Sequence, residues 1–166
     1  MLTKNEEFVF FWNGPFSQWY KSDFTVAGIQ YNCAEQFMMA QKARLFGDSI
    51  TEGEIMATTN PREQKALGRK VQNFDPAVWE LQRFPVVLAA SLAKFKQNDR
   101  MKQIILATGT KTLVEASPED NIWGIGMGED DPLIEDKNNW KGLNLLGYAL
   151  TCAREVIRAE MLMDRQ

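Results

Sequence analysis

The stretch Tyr31-Asn-Cys-Ala-Glu-Gln-Phe-Met-Met-Ala-Gln-Lys42 decides the fold of this 166-residue chain. Its apolar residues recur at helical spacing, which predicts a helix from Cys33 to Leu45. Glu35 and Lys42 lie seven residues apart. On a helix this spacing places them about 20° apart in direction and about 10 Å apart in height. A small substrate fits between their two charged groups.

The surroundings of this pair indicate what its chemistry would be. Met38 and Met39 lie between the two charged residues, so the predicted site is partly dry. Desolvation raises the pKa of a carboxyl group and lowers the pKa of an amine. Both changes suit general acid–base and nucleophilic catalysis near neutral pH. The same spacing also fits a surface helix with two unrelated charges.

The remaining elements are predicted from caps, turns and apolar periodicity. Helices are expected after Asn60-Pro61 and Asp75-Pro76, because each pair places a capping side chain before a proline at the first helical position. Pro85 is expected to kink or divide the second of these helices. The other predicted elements are strands at 8–12, within 24–31 with a turn at Gly28, and at 111–116, and helices at 100–107 and 145–161.

These elements predict an α+β fold: one predominantly helical domain over residues 1–166, with a core at about 8–160 and a small N-terminal β-sheet. Cys33 and Cys152 match no metal spacing and are expected to be reduced core residues. There is neither a leader pattern nor an apolar run near membrane-spanning length, so we expect a cytoplasmic protein with no membrane partner.

The sequence contains no histidine. Ser-His-Asp and Cys-His catalysis and histidine-ligated zinc are therefore excluded. Acid–base chemistry must come from carboxylates, lysine, tyrosine or cysteine, and we expect neither a metal nor a cofactor. The net charge of −3 weighs against a protein that coats nucleic acid by general electrostatics.

The second half of the chain offers further candidate ligand residues. In Asp120–Gly128, glycines such as Gly124 would let the backbone approach a phosphate or sugar, and Trp123 would stack on a base. The same segment also fits a plain glycine-rich turn. Asn144 suits either a helix cap or a ligand contact, and Arg154 suits either a phosphate or an exposed salt bridge.

Four basic residues form a stripe at helical spacing, namely Arg62, Lys65, Arg69 and Lys70. Such a stripe fits the phosphates of a nucleotide or of a nucleic acid end. It also fits a solvated helix face with no ligand.

Taken in order, the motifs resemble those of the NADAR family of N-glycosidases, from about Phe10 to Arg158. The segments that carry this resemblance are FW, FSQWY, AEQFMMAQKA, KF, LVEASPEDNIWGIG and WKGLNLLG. Family members hydrolyse N-ribosyl bonds. One group acts on phosphoribosylamino-pyrimidine intermediates of riboflavin biosynthesis, and another removes ADP-ribose from guanine bases, which reverses a nucleic acid modification. Some members carry histidine where this chain has Gln36.

The resemblance implies a nucleotide-like small-molecule substrate, or ADP-ribosylated nucleic acid. By motif position it implies the catalytic residues Glu35 and Lys42. Asp120 falls on another pocket position and is a third catalytic candidate, because its carboxylate would stabilise the cationic sugar or deprotonate the attacking group. The expected substrate-binding residues, with Gly124 and Arg154 added from the reasoning above, are Phe11, Ser17, Trp19, Trp79, Trp123, Gly124, Asn144 and Arg154.

Two questions stay open at the level of sequence. A neutral Lys42 would capture C1′ of the sugar, whereas a charged Lys42 would hold a phosphate or hydroxyl while water attacks. The chain could also be a non-catalytic module that binds ADP-ribose or an NAD derivative. Such a module would use the same pocket but would tolerate Glu35→Gln.

Overall fold

The computed structural model describes residues 7–165, which form two compact units. The first unit comprises residues 7–17 and 99–165, and the second comprises Gln18–Asn98. The α+β class and the predominance of helix are confirmed. Over the described residues the elements are β1 (Phe8–Phe11), β2 (Phe24–Val26), β3 (Ile29–Tyr31), α1 (Ala34–Leu45), α2 (Ser49–Ala57), α3 (Pro61–Gly68), α4 (Pro76–Lys96), α5 (Asp99–Leu106), β4 (Thr112–Glu115) and α6 (Leu145–Met163).

Helix α1 is the centre of the second unit. Helices α2, α3 and α4 all pack against it. Eight of its twelve residues are buried, and they are distributed around the helix rather than along one stripe. Gly68 allows α3 to approach closely, because a Cβ atom at this position would overlap the side chain of Met39. The predicted helix is thus confirmed, with Cys33 as its N-cap residue.

The β2–β3 hairpin packs on α1 through aromatic rings. Phe24 pairs with Tyr31 across the two strands, and their rings stack with centres 5.8 Å apart. Tyr31 also meets Phe37 of α1 edge-on, with ring centres 5.0 Å apart. The predicted turn is confirmed at Ala27-Gly28, where both residues have positive φ, as hairpin turns of this length favour.

Two helices of the second unit differ from the sequence prediction. Helix α4 runs without a break through Pro85, so of the two predicted effects, a kink or a division, the division is wrong. Pro85 is exposed, as is Leu81, the residue whose carbonyl group lacks a hydrogen-bond donor because of the proline. Helix α2 was not predicted. It starts at Asp48, whose side chain accepts a hydrogen bond from the Thr51 amide at 3.0 Å.

The first unit is built on a parallel pair of strands from distant parts of the chain. β1 pairs with β4, from Phe8 opposite Thr112 to Phe11 opposite Glu115. The small sheet predicted for the N-terminal half is present as the β2–β3 pair, whereas the β1–β4 pair takes one of its strands from the C-terminal half. Behind it lies an apolar cluster formed by Val114, Ala116, Ile125, Met127 and Ile134, with Phe8, Phe10 and Trp140 packed against it.

Helix α6 packs on β4, and Asn144 joins the two. The Asn144 Oδ1 atom accepts a hydrogen bond from the Glu115 amide at 3.0 Å, and its Nδ2 atom donates to the Leu113 carbonyl oxygen at 3.1 Å. Its backbone is left-handed, with φ of 52°, and its side chain does not cap the helix. The predicted cap is therefore wrong, because the side chain bonds to the strand instead.

Only one of the two cysteines is in the core. Cys33 is buried as expected, but Cys152 is exposed. Cys152 lies four residues after Tyr148 and four before Val156, and all three belong to the exposed face of α6. Among the described residues, no helix is both long enough and apolar enough to cross a membrane.

A pair of glycine substitutions tests the packing of α6. A Cβ atom at Gly147 would overlap the Leu113 carbonyl oxygen and the Asn144 amide, whereas a Cβ atom at Gly53 of α2 would meet no atom within 4 Å. We expect Gly147→Ala to lower the free energy of unfolding by about 1–3 kcal/mol. Gly53→Ala should raise it by about 0.4–1 kcal/mol. Urea denaturation of both variants measures this, and equal effects would contradict the packing described.

Candidate active site

Glu35 lies in the first turn of α1, beneath the surface of the second unit. Its exposed fraction is 4%. Its backbone amide donates a hydrogen bond to the Gln18 carbonyl oxygen at 3.0 Å, which fixes the segment before the hairpin against the helix. The N-terminal end of a helix carries partial positive charge, which stabilises a carboxylate there.

Lys42 lies in the last turn of the same helix and is half-buried. Its Nζ atom is 4.5 Å from the centre of the Phe74 ring and 5.8 Å from that of Trp79. Burial lowers the pKa of Lys42; the negative charge of Glu35 raises it, and the positive charge of Arg69 lowers it further. The direction of this change is the one that the sequence leads us to expect.

Phe74 and Trp79 are set on either side of the start of α4. Asp75 caps the helix by accepting a hydrogen bond from the Ala77 amide at 3.0 Å. Phe74 therefore occupies the position before the cap and Trp79 the fourth helical position, which are the two positions of a hydrophobic staple. Phe74 was missed in the sequence, although the staple pattern was the signal for it. Its ring meets that of Phe46 edge-on, with centres 5.3 Å apart.

Lys94 of α4 is a second lysine that the sequence did not single out. Only 2% of it is exposed, and its Nζ atom lies 5.1 Å from the Phe95 ring centre and 5.7 Å from the Tyr20 ring centre. Burial lowers the pKa of Lys94 to about 7. The available signal was its spacing, because Val87, Ala90, Ser91 and Lys94 all lie on the buried face of α4.

The thiol of Cys33 interacts electrostatically with both Lys94 and Glu35. Burial raises the pKa of the Cys33 thiol, the charge of Glu35 raises it further, and the charge of Lys94 lowers it. The Cys33 Sγ atom donates to Gln64 Oε1 at 3.2 Å. The N-terminal end of α1 therefore holds a buried carboxylate, that of Glu35, and a buried thiol, that of Cys33, and the two groups interact electrostatically.

Gln36 follows Glu35 but uses its amide inside the protein. Its Oε1 atom accepts from the Asn32 amide at 2.8 Å, and its Nε2 atom donates to the carbonyl oxygens of Ile55 and Thr58, both at 3.2 Å. The Gln36 side chain therefore joins α1 to the segment before it and to the end of α2.

Trp19 was predicted to contact substrate and lies in the second unit as well. It is 39% exposed, and Lys65 Nζ is 6.0 Å from its ring centre. Of the predicted residues, the second unit thus contains Glu35, Lys42, Trp19 and Trp79.

Asp120 and Trp123 belong to the first unit. The Asp120 Oδ1 atom accepts hydrogen bonds from the amides of Ile122 at 2.9 Å and Trp123 at 2.8 Å. This arrangement folds the glycine-rich segment into a tight turn. Both Asp120 and Trp123 are half-buried, so each remains accessible from one side.

Phe11 and Ser17 lie near the end of β1 in the same unit. Phe11 lines a cleft of about 570 Å³ that also includes Trp12, Asn13 and the acidic residues Glu129 and Asp130. Ser17 is half-buried, and its amide donates to the Gly14 carbonyl oxygen at 3.0 Å.

Gly124 and Asn144 were both predicted to bind substrate, and in the structure both make close contacts inside the protein. A Cβ atom at Gly124 would come within 3.0 Å of the backbone oxygens of Asp120 and Glu115, so the glycine is needed for close approach of chain segments. Asn144 has no exposed surface, and its amide is bonded to β4. The Asn144 side chain is thus bonded inside the protein, and a role of either residue in substrate binding stays a prediction.

Arg154 is likewise buried, with an exposed fraction of 2%. Its NH1 atom donates to Thr108 Oγ1 at 2.9 Å and to the Lys111 carbonyl oxygen, and its Nε atom donates to Glu155 at 2.9 Å. The alternative of an exposed salt bridge is therefore wrong on the arginine side. The guanidinium joins α6 to the loop before β4, and a role of Arg154 in binding a phosphate stays a prediction.

A buried carboxylate and a partly desolvated amine on one helix, flanked by aromatic rings, form the kind of site an enzyme uses for acid–base and nucleophilic chemistry. The chain belongs to the NADAR family, since the model of the NADAR domain matches residues 10–158. The resemblance drawn from the motifs is thereby confirmed.

Several relatives extend this comparison. The N-glycosidase R617 of Acanthamoeba polyphaga mimivirus is 43% identical over 145 residues, covering 84% of this chain and 85% of that protein. The N-glycosidase YbiA of Escherichia coli is 30% identical over 147 residues, covering 89% and 83%. The NMR structure of E. coli YbiA superposes with a TM-score of 0.78, at 28% identity, over 96% of this chain and 90% of that one.

The electrostatic setting of Lys42 is testable with two opposed substitutions. Arg69→Gln removes a positive charge and should raise the pKa of Lys42, whereas Glu35→Gln removes a negative charge and should lower it. Carbon NMR of the lysine Cε signal over a pH series measures both, with Lys42→Arg identifying the signal. Shifts in the same direction in both variants would contradict this account.

The burial of Lys94 predicts a pH dependence of stability. Its pKa is about 7 when folded, below the ordinary value of 10.5, so folding releases a proton between these pH values. The wild type should therefore gain stability relative to Lys94→Met as pH rises from 7 to 9, by at most about 1.4 kcal/mol per pH unit. Urea denaturation at each pH measures this. A difference that does not change with pH would show that Lys94 does not titrate in this range.

Proposed function

We propose that this chain is an N-glycosidase that hydrolyses the N-ribosyl bond of ADP-ribosylated guanine. Its class, a hydrolase acting on N-glycosyl bonds, is that of its curated relatives R617 and YbiA. The observation that carries the proposal is the amine of Lys42, held between two aromatic rings with a lowered pKa and under the field of Glu35. A cytoplasmic location stays a prediction.

The chemistry follows from where charge develops. As the bond between C1′ and the base nitrogen breaks, positive charge builds on C1′ and O4′, and the electron pair leaves with the nitrogen. The buried carboxylate of Glu35 stabilises that positive charge. The neutral amine of Lys42 forms a bond to C1′ and loses a proton, which goes to the departing base nitrogen. Its second proton passes to O4′ as the sugar ring opens to an imine. Water then hydrolyses the imine, which releases ADP-ribose and restores the amine.

Burial gives this amine its reactivity. It lowers the pKa of Lys42 although the faces of the Phe74 and Trp79 rings attract the ammonium form. Arg69 adds positive charge close by and favours the uncharged form further. The same positive charge suits the phosphates of the substrate, so a diphosphate-bearing ribose such as ADP-ribose fits this environment.

The first unit, taken by itself, contains the other residues that the sequence suggests for function. We assign Asp120 to catalysis, because its half-buried carboxylate is held by two backbone amides. We assign Trp123, Phe11 and Ser17 to substrate binding. Gly124, Asn144 and Arg154 stay proposed substrate-binding residues, and their contacts inside the protein hold the surrounding segments in place.

The test is product release from two substrates, followed by chromatography. ADP-ribosylated guanosine would give guanosine and ADP-ribose, and a phosphoribosylamino-pyrimidine would give the free aminopyrimidine and a ribose phosphate. We expect release from the first substrate, with kcat lowered about 10²–10⁴-fold by Glu35→Gln and at least as much by Lys42→Met. Glu54→Gln removes an exposed carboxylate of α2 and is the matched control, expected to retain full activity.

Other outcomes reject the proposal in distinct ways. Release of base from the phosphoribosylamino-pyrimidine alone would retain the enzyme class but replace the substrate. Tight binding of ADP-ribose with no product, unaffected by Glu35→Gln, would establish the binding module instead. Full activity in Lys42→Met would remove Lys42 from the mechanism.

A further inference from the structure

The basic stripe of Arg62, Lys65, Arg69 and Lys70 lies on α3 and the turn after it, within the second unit. All four side chains are exposed. Arg62, Lys65 and Arg69 are three and four residues apart, so they share one face of the helix. From Arg62 to Arg69 this face extends about 10 Å. The stripe is therefore a continuous line of positive charge rather than scattered lysines and arginines.

No carboxylate neutralises this charge within the part of the chain that the structure describes. None of the four cations forms an ion pair there, unlike Arg44, which binds Glu52 at 2.5 Å. Glu63 is the one acidic residue in α3, and its carboxylate accepts a hydrogen bond from the Thr58 hydroxyl. An unpaired line of cations attracts a polyanion by charge complementarity.

An exposed indole borders the stripe. Lys65 Nζ lies 6.0 Å from the centre of the Trp19 ring, and the ring is 39% exposed. A cation close to an aromatic ring at the surface is the combination that binds single-stranded nucleic acid, where phosphates contact the cations and an unpaired base stacks on the ring.

The stripe also reaches the reactive lysine. Helix α3 packs against α1, which carries Lys42, and the charge of Arg69 is one of the contributions that lower the pKa of Lys42. Phe74, whose ring is next to Lys42, is itself partly exposed. A strand bound along the stripe would therefore bring one of its bases near the amine.

We propose that the basic stripe and Trp19 form a binding surface for single-stranded nucleic acid. The strand's phosphates lie along Arg62, Lys65, Arg69 and Lys70, and one base stacks on Trp19. This inference rests on the proposed function, because the surface would present a modified guanine to Lys42. A duplex does not fit as well, since its bases are paired and cannot stack on an indole. Because the chain as a whole has a net charge of −3, we expect the strand to contact the stripe and not the rest of the surface.

The experiment measures the binding of a fluorescent, unmodified single-stranded DNA by anisotropy at several salt concentrations. Arg62→Gln/Lys65→Gln/Lys70→Gln should bind at least tenfold more weakly at about 50 mM salt. The slope of log K against log salt should fall by about 2, from three lost phosphate contacts. The matched control is Arg100→Gln/Lys102→Gln/Lys111→Gln, which removes the same charge from the first unit and should bind as the wild type does.

A second pair of variants tests the stacking. Trp19→Ala should weaken binding about tenfold with little change in the salt slope, since stacking carries no counterion. Trp12→Ala removes an exposed indole of the first unit and should have no effect. An equal loss of DNA affinity in the two triple variants, or in the two tryptophan variants, would overturn the proposal. So would stripe-dependent binding to phosphatidylserine vesicles without binding to DNA.

Failure of the surface can be told apart from failure of the proposed function. If the chain cleaves ADP-ribosylated guanosine but binds no single-stranded DNA at about 50 mM salt, the surface is wrong and the activity stands. If it binds DNA through the stripe but cleaves neither small substrate, the surface stands and the activity is wrong. If the chain has both the binding surface and the activity, the triple variant of the stripe should lower kcat/KM more for an ADP-ribosylated oligonucleotide than for ADP-ribosylated guanosine.

Discussion

The burial of α1 on nearly all sides is the constraint on which the rest of the second unit depends. Three helices and the hairpin must cover it, so their contacts with α1 fix where each of them lies. A helix buried in this way normally carries apolar residues all round. This one carries Glu35 at one end and Lys42 at the other, and it keeps both charges where desolvation is costly. Such an arrangement marks a functional site more often than a structural one.

The chemistry of the site follows from this partial burial. Lys42 is covered enough for its pKa to fall, yet open enough to meet a substrate, whereas Lys94 is covered almost completely. The exposure of each lysine decides which role it can have. A buried lysine can set the electrostatics around Cys33 and the N-terminal end of α1, but only an accessible amine can form a bond to a sugar carbon.

The sequence predicted those features that depend on neighbours along the chain. The helix around Glu35 and Lys42 follows from local spacing, and the motif around it identified the family. Three features depend on partners distant in sequence and were missed or misjudged. Asn144 bonds to β4 about thirty residues earlier, Lys94 is covered by other elements, and Phe74 meets Lys42 from a loop. Local pattern cannot reveal such contacts, although the staple position of Phe74 and the spacing of Lys94 were usable signals.

The central claim is that the amine of Lys42 is the group that attacks the sugar. The most direct measurement is borohydride reduction during turnover of ADP-ribosylated guanosine, followed by peptide mass spectrometry. The account predicts a stable ribosyl adduct on Lys42 and none on Lys94. An adduct on a different lysine, or full turnover with no adduct at all, would contradict it.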